Sequence, residues 1–239
     1  MFVSVISFVF PGLDNVRCAF STKAAGNVSF SVGEAPAPVT QARRSLRREF
    51  ACAQWAELNQ VHGDTLVFEP QAVDEDCRPE ADGDGMATST PGLALMIRTA
   101  DCQPLLLAHN SGKFVAALHV GWRGNRCNFP ASGLAGFCVR YGLRPCDVLA
   151  VRGPSLGPAR AEFVNFDREW GPEFAPWFDA GSRTMDLWSL TRDQLTAAGL
   201  RLRHIYGLDL CTYSNSDQFF SYRRERVCGR QAGLIRIEG

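Results

Sequence analysis

A mixed α/β (α+β) fold, β-sheets flanked by helices in a single domain over residues 1–239, is what this sequence predicts. Three observations carry that expectation. Short apolar runs of strand length recur along the chain, and a few stretches carry helical periodicity or composition. Turns rich in Gly, Pro and Asn separate them, with no internal repeat, low-complexity tract or linker. The length is sufficient to bury a core of that kind.

Residues 2–10 and 16–21 read as two strands joined through Pro11-Gly12. The first run lacks the basic start of a signal peptide and is rich in β-branched and aromatic residues, so a hairpin is the better reading. Residues 24–38, with their glycines, alanines and prolines, read as loop. Residues 39–52 read as a helix with Thr40 as N-cap and Ala42, Leu46 and Phe50 on its apolar side. Arg43, Arg44, Arg47 and Arg48 share that helix and read as a solvated face rather than a phosphate-binding patch.

Residues 55–58 and 65–68 are strand-like and flank the polar turn Asn59-Gln60-Val61-His62-Gly63-Asp64. An acidic loop, 73–85, follows and ends near Ala81-Asp82-Gly83-Asp84-Gly85. Residues 93–98, 104–109 and 114–120 are apolar strands, the last two joined by Asn110-Ser111-Gly112-Lys113. Residues 130–141 predict a helix, 148–152 a buried strand, 186–199 a helix stopped by Gly199, and 205–210 a further strand. The segment 153–158 matches neither phosphate-loop pattern and reads as a rigid turn. The tail, 219–237, is basic and then apolar.

Composition removes several function classes. Lys and Arg number 25, and Asp and Glu number 25, so the chain lacks the basic footprint of a nucleic-acid binder. No run approaches a membrane span. The nine cysteines are scattered with no CxxC pair, which predicts reduced thiols in a cytoplasmic protein rather than a disulfide framework.

Only four histidines occur: His62, His109, His119 and His204. His62 sits in a polar turn, Cys102 follows Thr99-Ala100-Asp101, and His119 precedes Gly121-Trp122-Arg123-Gly124. All three stand at edges of apolar segments, where a rigid scaffold presents side chains to a cleft. Two imidazoles and a thiolate suit zinc with a fourth position open for water. The spacings of 40 and 17 residues form no short chelating loop. A Cys–His nucleophile pair and a buried thiol with two hydrogen-bonded histidines therefore stay open beside the metal site. Asp101 is the candidate proton carrier or outer acceptor next to Cys102. Arg123, between glycines, suits bidentate binding of phosphate or carboxylate as well as it suits a salt bridge. His109 and His204 read as structural.

The motifs Asn59-Gln60-Val61-His62-Gly63, Arg98-Thr99-Ala100-Asp101-Cys102-Gln103-Pro104, His119-Val120-Gly121-Trp122-Arg123-Gly124, Gly153-Pro154-Ser155 and Phe219-Phe220-Ser221-Tyr222-Arg223-Arg224 with Gly229-Arg230 occur in one order. In these motifs the chain resembles the YfiH family of laccase-domain proteins, over nearly its whole length. The resemblance implies a YfiH-like domain with zinc held by His62, Cys102 and His119. It implies phosphorolysis of adenosine, inosine, guanosine and methylthioadenosine, with adenosine deamination, so the partners are a small nucleoside and phosphate. Asp101 and Cys102 are then the catalytic candidates, and Lys23, Gln60, Arg123 and Arg223 the substrate-binding ones. Family names also imply a hydrolase editing serine-containing muropeptide precursors, or a copper-dependent polyphenol oxidoreductase. A non-enzymatic zinc protein is the remaining alternative. Copper is a possible substitute ion, although four histidines are too few for a coupled copper cluster. The chain departs from the family pattern at Lys23-Ala24-Ala25-Gly26 and Ser29-Phe30-Ser31-Val32, where an arginine and an asparagine are usual. It departs again at Val120 and Cys228.

Overall fold

The central strands of this chain are buried on both faces, and that decides how they stack. The computed structural model describes residues 4–239; residues 2 and 3 of the expected first strand lie outside them. The N-terminal hairpin is β1 (Val5–Phe8) with β2 (Val16–Ser21), antiparallel. Helix α1 (Pro36–Glu49) begins before the expected start. Prolines read as loop in fact open it, because an N1 proline needs no N–H and arrives with helical φ. Thr40 is thus inside the helix and does not cap it.

β3 (Gln54–Ala56), β4 (Leu66–Phe68) and β5 (Gly85–Thr88) are short. β6 (Leu93–Thr99), β7 (Gln103–His109) and β8 (Val115–Val120) follow as expected, the last two an antiparallel hairpin. Helix α2 (Trp122–Arg126) occupies the glycine-flanked stretch where no helix was expected. Helix α3 (Phe129–Tyr141) ends on Gly142 at φ +66°, the left-handed cap that glycine supplies. β9 (Val148–Arg152) has the expected bounds. Then come α4 (Phe166–Glu169), the two-residue ribbon β10 (Phe178–Asp179) and β11 (Thr184–Met185), and α5 (Leu187–Ala197), capped by Asp186. β12 (Ile205–Gly207) is shorter than expected, and β13 (Gln231–Ile237) closes the chain.

Two mixed sheets result, in orders β1-β2-β13-β6-β3 and β12-β9-β7-β8-β5-β4. One core lies between them: Phe20, Leu95, Ile97 and Ile235 meet Leu106, Ala117, Leu149 and Val151. Alternate residues of the same strands face outward to helices. Ala94, Met96 and Leu234 pack with Leu46 and Phe50 at the α1 side. Leu105, Leu107, Leu118 and Ala150 pack under Phe129, Leu134 and Phe137 of α3 and Leu195 of α5. Period-2 alternation with apolar residues on both faces is why these strands read as continuous apolar runs. The layers are therefore helix, sheet, sheet, helix.

Arg43 corrects the solvated-face reading of α1. It is fully buried, ion-paired to Glu57, donates to the Val28 carbonyl at 3.0 Å, and lies between the rings of Phe30 and Trp55. Arg47 is half-buried against Glu75, whereas Arg44, also paired with Glu75, and Arg48 stay exposed as expected. All nine cysteines are free. Among the described residues no helix is long and apolar enough to cross a membrane.

Candidate metal centre

Sheet register brings the donors together. Cys102 stands one residue before β7, and the β7–β8 register places His119 opposite Pro104. His62 comes from the connection between β3 and β4, in a left-handed conformation at φ +61°. The donor atoms of His62, Cys102 and His119 all lie within 4.8 Å of one another. The imidazoles meet edge to face at 4.8 Å between centroids. His62 is exposed, Cys102 half-buried and His119 buried. Gly121 completes the floor: a Cβ there would stand 3.0 Å from the Cys102 Sγ and 3.3 Å from the His62 ring. A side chain there would press on the Cys102 thiol and the His62 ring.

A residue the sequence reading passed over touches this group from behind. The β5–β8 register pairs Gly85 with Leu118, which sets Asp84 beside His119. His119 Nδ1 lies 2.7 Å from Asp84 Oδ1, and the backbone N–H groups of Val61, His62 and Gly63 all donate to the same carboxylate. The only sequence signal was its place at the end of the acidic loop. The register that aims it inward was not legible there.

The charges reinforce one another. Burial opposes ionisation of Cys102, but His119 and His62 beside the thiol outweigh it and hold it down to about 6. Burial likewise opposes charging of His119, but Cys102 and Asp84 raise it to about 9. Asp84 is held low despite burial, by His119 and the Gly63 and His62 amides. Without metal, Cys102 and His119 form a thiolate–imidazolium pair between those two values. The thiolate's contribution to stability is complete above its ordinary value of 9.0 and is lost as pH falls through about 6. The imidazolium's is complete below 6.5 and is lost as pH rises through about 9. Metal-free protein should therefore react with iodoacetamide at Cys102 at neutral pH, with a rate that falls below about pH 6, as peptide mapping would show. A midpoint near 9 would remove this electrostatic account.

The group sits in a cleft of about 920 Å³. Arg98, Arg123, Arg223, Arg226 and Arg230 line it against Asp101, Glu162 and Glu169, and Trp122, Phe163 and Tyr222 add aromatic surface. Arg98, Arg226 and Arg230 had been given no role from sequence. Arg123 lies over the Trp122 ring at 4.4 Å. Arg223 donates from Nη1 to the Glu162 carbonyl at 2.7 Å. Gln60 lines the cleft, but its amide is spent on the Arg98 backbone, donating to the carbonyl at 2.8 Å and accepting from the N–H at 2.9 Å.

One expectation needs correction. Lys23 does not line the cleft: its Nζ donates to the Ser216 carbonyl at 2.8 Å beside the Phe220 ring. Asp101 borders the cleft, and each of its oxygens accepts one hydrogen bond, from Thr212 Oγ1 at 2.7 Å and the Arg223 N–H at 2.6 Å, which leaves a lone pair on each. It ties the Cys102 turn to the C-terminal segment, while Asp84 is the acceptor behind His119. His109, bonded to Ser111, and His204, near the Val148 carbonyl, lie outside the group. Gly153 is a packing turn, since a Cβ there would meet the Phe20 ring at 2.2 Å.

Fold and site together define a class: a helix-flanked double sheet with a His–Cys–His group of metal-ligand type at the floor of a cationic cleft. The sequence matches, over residues 18–238, the model of the family described as multi-copper polyphenol oxidoreductase laccase. The chain belongs to this laccase-domain family, which includes the YfiH proteins. It is 33% identical to a purine nucleoside phosphorylase of Pseudomonas aeruginosa, over 95% of this chain and 96% of that one. It is 32% identical to the purine nucleoside phosphorylase YfiH of Escherichia coli K12, over 87% and 85%. A crystallised Neisseria meningitidis protein superposes with a TM-score of 0.85 at 29% identity, covering 99% of this chain and all of that one.

Proposed function

We propose that this protein is a zinc-dependent purine nucleoside phosphorylase whose reaction centre is the His62–Cys102–His119 group. The observation that carries this is the placing of three N, N and S donors under an arginine-lined cleft, in a chain whose relatives bear that name. The donor set suits zinc, which takes imidazole and thiolate ligands, and three protein donors leave the fourth position open. None of the methionines among the described residues lines the cleft, so the axial thioether of a blue-copper centre has no counterpart among them. Among the described residues this is the one such group, whereas a coupled copper cluster needs several. Copper remains a substitute ion at the same donors. When bound, zinc supplies Lewis acidity that lowers the pKa of a water molecule to about 7.

The chain's own residues supply binding and orientation. In phosphorolysis the C1′–N9 bond breaks with its electron pair leaving on the purine, and a phosphate oxygen bonds to C1′. The proton of hydrogen phosphate goes to the purine, which leaves as the neutral base, and ribose 1-phosphate remains. Arg123 and Arg226 line the cleft with no ion pair among the described residues, so they are the cations assigned to phosphate. Trp122 and Tyr222 are the aromatic surface assigned to the purine, with Arg123 stacked on the first ring and Arg226 on the second. Adenosine deamination is a second activity of the same centre, favoured by the open fourth position.

Purified, zinc-loaded protein should convert inosine and adenosine to free base and ribose 1-phosphate only when phosphate is present. Free base formed without phosphate, or no free base at all, would refute the reading; inosine formed from adenosine without phosphate reports the deamination alone. Arg123→Ala should raise the KM for phosphate by about 10- to 150-fold, equivalent to about 1.5–3 kcal/mol for a charged hydrogen bond. Lys23→Ala should leave it unchanged, because that ammonium is bonded away from the cleft.

A further inference from the structure

We infer that Asp84 is the positioning residue of the site, building both histidine ligands through one buried carboxylate; this rests on reading the group as a metal centre. The side chain is fully buried. A carboxylate has about four lone-pair sites, and all are filled, two per oxygen. Oδ1 takes the His62 N–H at 3.0 Å and His119 Nδ1 at 2.7 Å. Oδ2 takes the N–H of Val61 at 3.2 Å and of Gly63 at 2.7 Å. The Asp84 carbonyl also accepts from the His119 N–H at 2.7 Å.

Two consequences follow for the ligands. With Nδ1 of His119 engaged by Asp84, Nε2 is the nitrogen left for an ion. His62 holds an unfavourable left-handed backbone, and the three amides wrapped on Asp84 are what hold it there. A single anion therefore sets the ring of one ligand and the backbone of the other. Asparagine has the same shape but only one acceptor oxygen, so it must turn N–H donors toward N–H donors.

The test compares Asp84→Asn with Leu195→Ala, a cavity-forming change in the α5 core outside the cleft. Zinc affinity is measured by competition with a chromophoric chelator, and amide hydrogen exchange at His62 and Gly63 is followed in metal-free protein. Asp84→Asn should weaken zinc by about 10- to 100-fold and speed exchange at both amides by about tenfold or more. Leu195→Ala should lower the melting temperature while leaving zinc affinity as in wild type. Wild-type zinc affinity in Asp84→Asn, or an equal loss in both variants, overturns the inference. Should the wild-type chain bind no zinc, the metal reading fails and the exchange experiment alone decides. Amides protected in wild type and released in Asp84→Asn support the positioning role. Amides unprotected in wild type overturn it.

Discussion

Cys102→Ala should fold as the wild type does and lose about a thousandfold or more in kcat/KM for nucleoside phosphorolysis. The expected loss corresponds to about 4 kcal/mol of transition-state stabilisation. The thiol belongs to none of the hydrophobic clusters and is half-buried at the floor of the cleft, so its removal leaves the core intact. What disappears is the one sulfur donor, together with a partner that keeps His119 charged in the metal-free protein. Steady-state kinetics with inosine and phosphate, beside a thermal melt, separate the two effects. A variant that melts like wild type and turns over at the wild-type rate would remove Cys102 from the reaction.

Glu57→Ala carries the largest expected cost in stability, about 3–5 kcal/mol. Glu57 is buried with Arg43 on one oxygen and Arg98 at 3.3 Å from the other. Removing it leaves two guanidinium groups in a dry core without a counter-charge. Domains have about 5–15 kcal/mol to lose, and at this size each kcal/mol shifts Tm by about 2–4 °C, so calorimetry should show a drop of roughly 6–20 °C. The damage reaches the site, because Arg98 donates to the Leu58 carbonyl at 2.8 Å and its backbone holds Gln60, two residues from His62. A melt within a degree or two of wild type would mean that water reaches these charges.

The sheets were legible where strands are apolar on both faces and bounded by turns. β2 and β9 have the expected bounds, and the β7–β8 hairpin turns at Asn110-Ser111-Gly112-Lys113. Helix starts were less so: Pro36 reads as a breaker until it is seen at N1, and the short α2 hides among glycines. His62, Cys102 and His119 were legible because histidine is scarce and each stands at the end of an apolar run, and the structure brings them together. Asp84 was not, because its role depends on the β5–β8 register, a relation between strands distant in sequence. Arg43 was not, because helical spacing places a residue on a face without saying what covers that face. Lys23 was named from its place in a family pattern, and the chain bends it toward Ser216 instead.

X-ray absorption at the zinc edge of the loaded protein tests the central claim most directly. The His62–Cys102–His119 group requires one sulfur at about 2.3 Å and at least two imidazole nitrogens at about 2.0–2.1 Å. Cys102→Ala should lose the sulfur shell. A shell of nitrogen and oxygen alone in the wild-type protein, or one with two or more sulfurs, would contradict the assignment of these three residues.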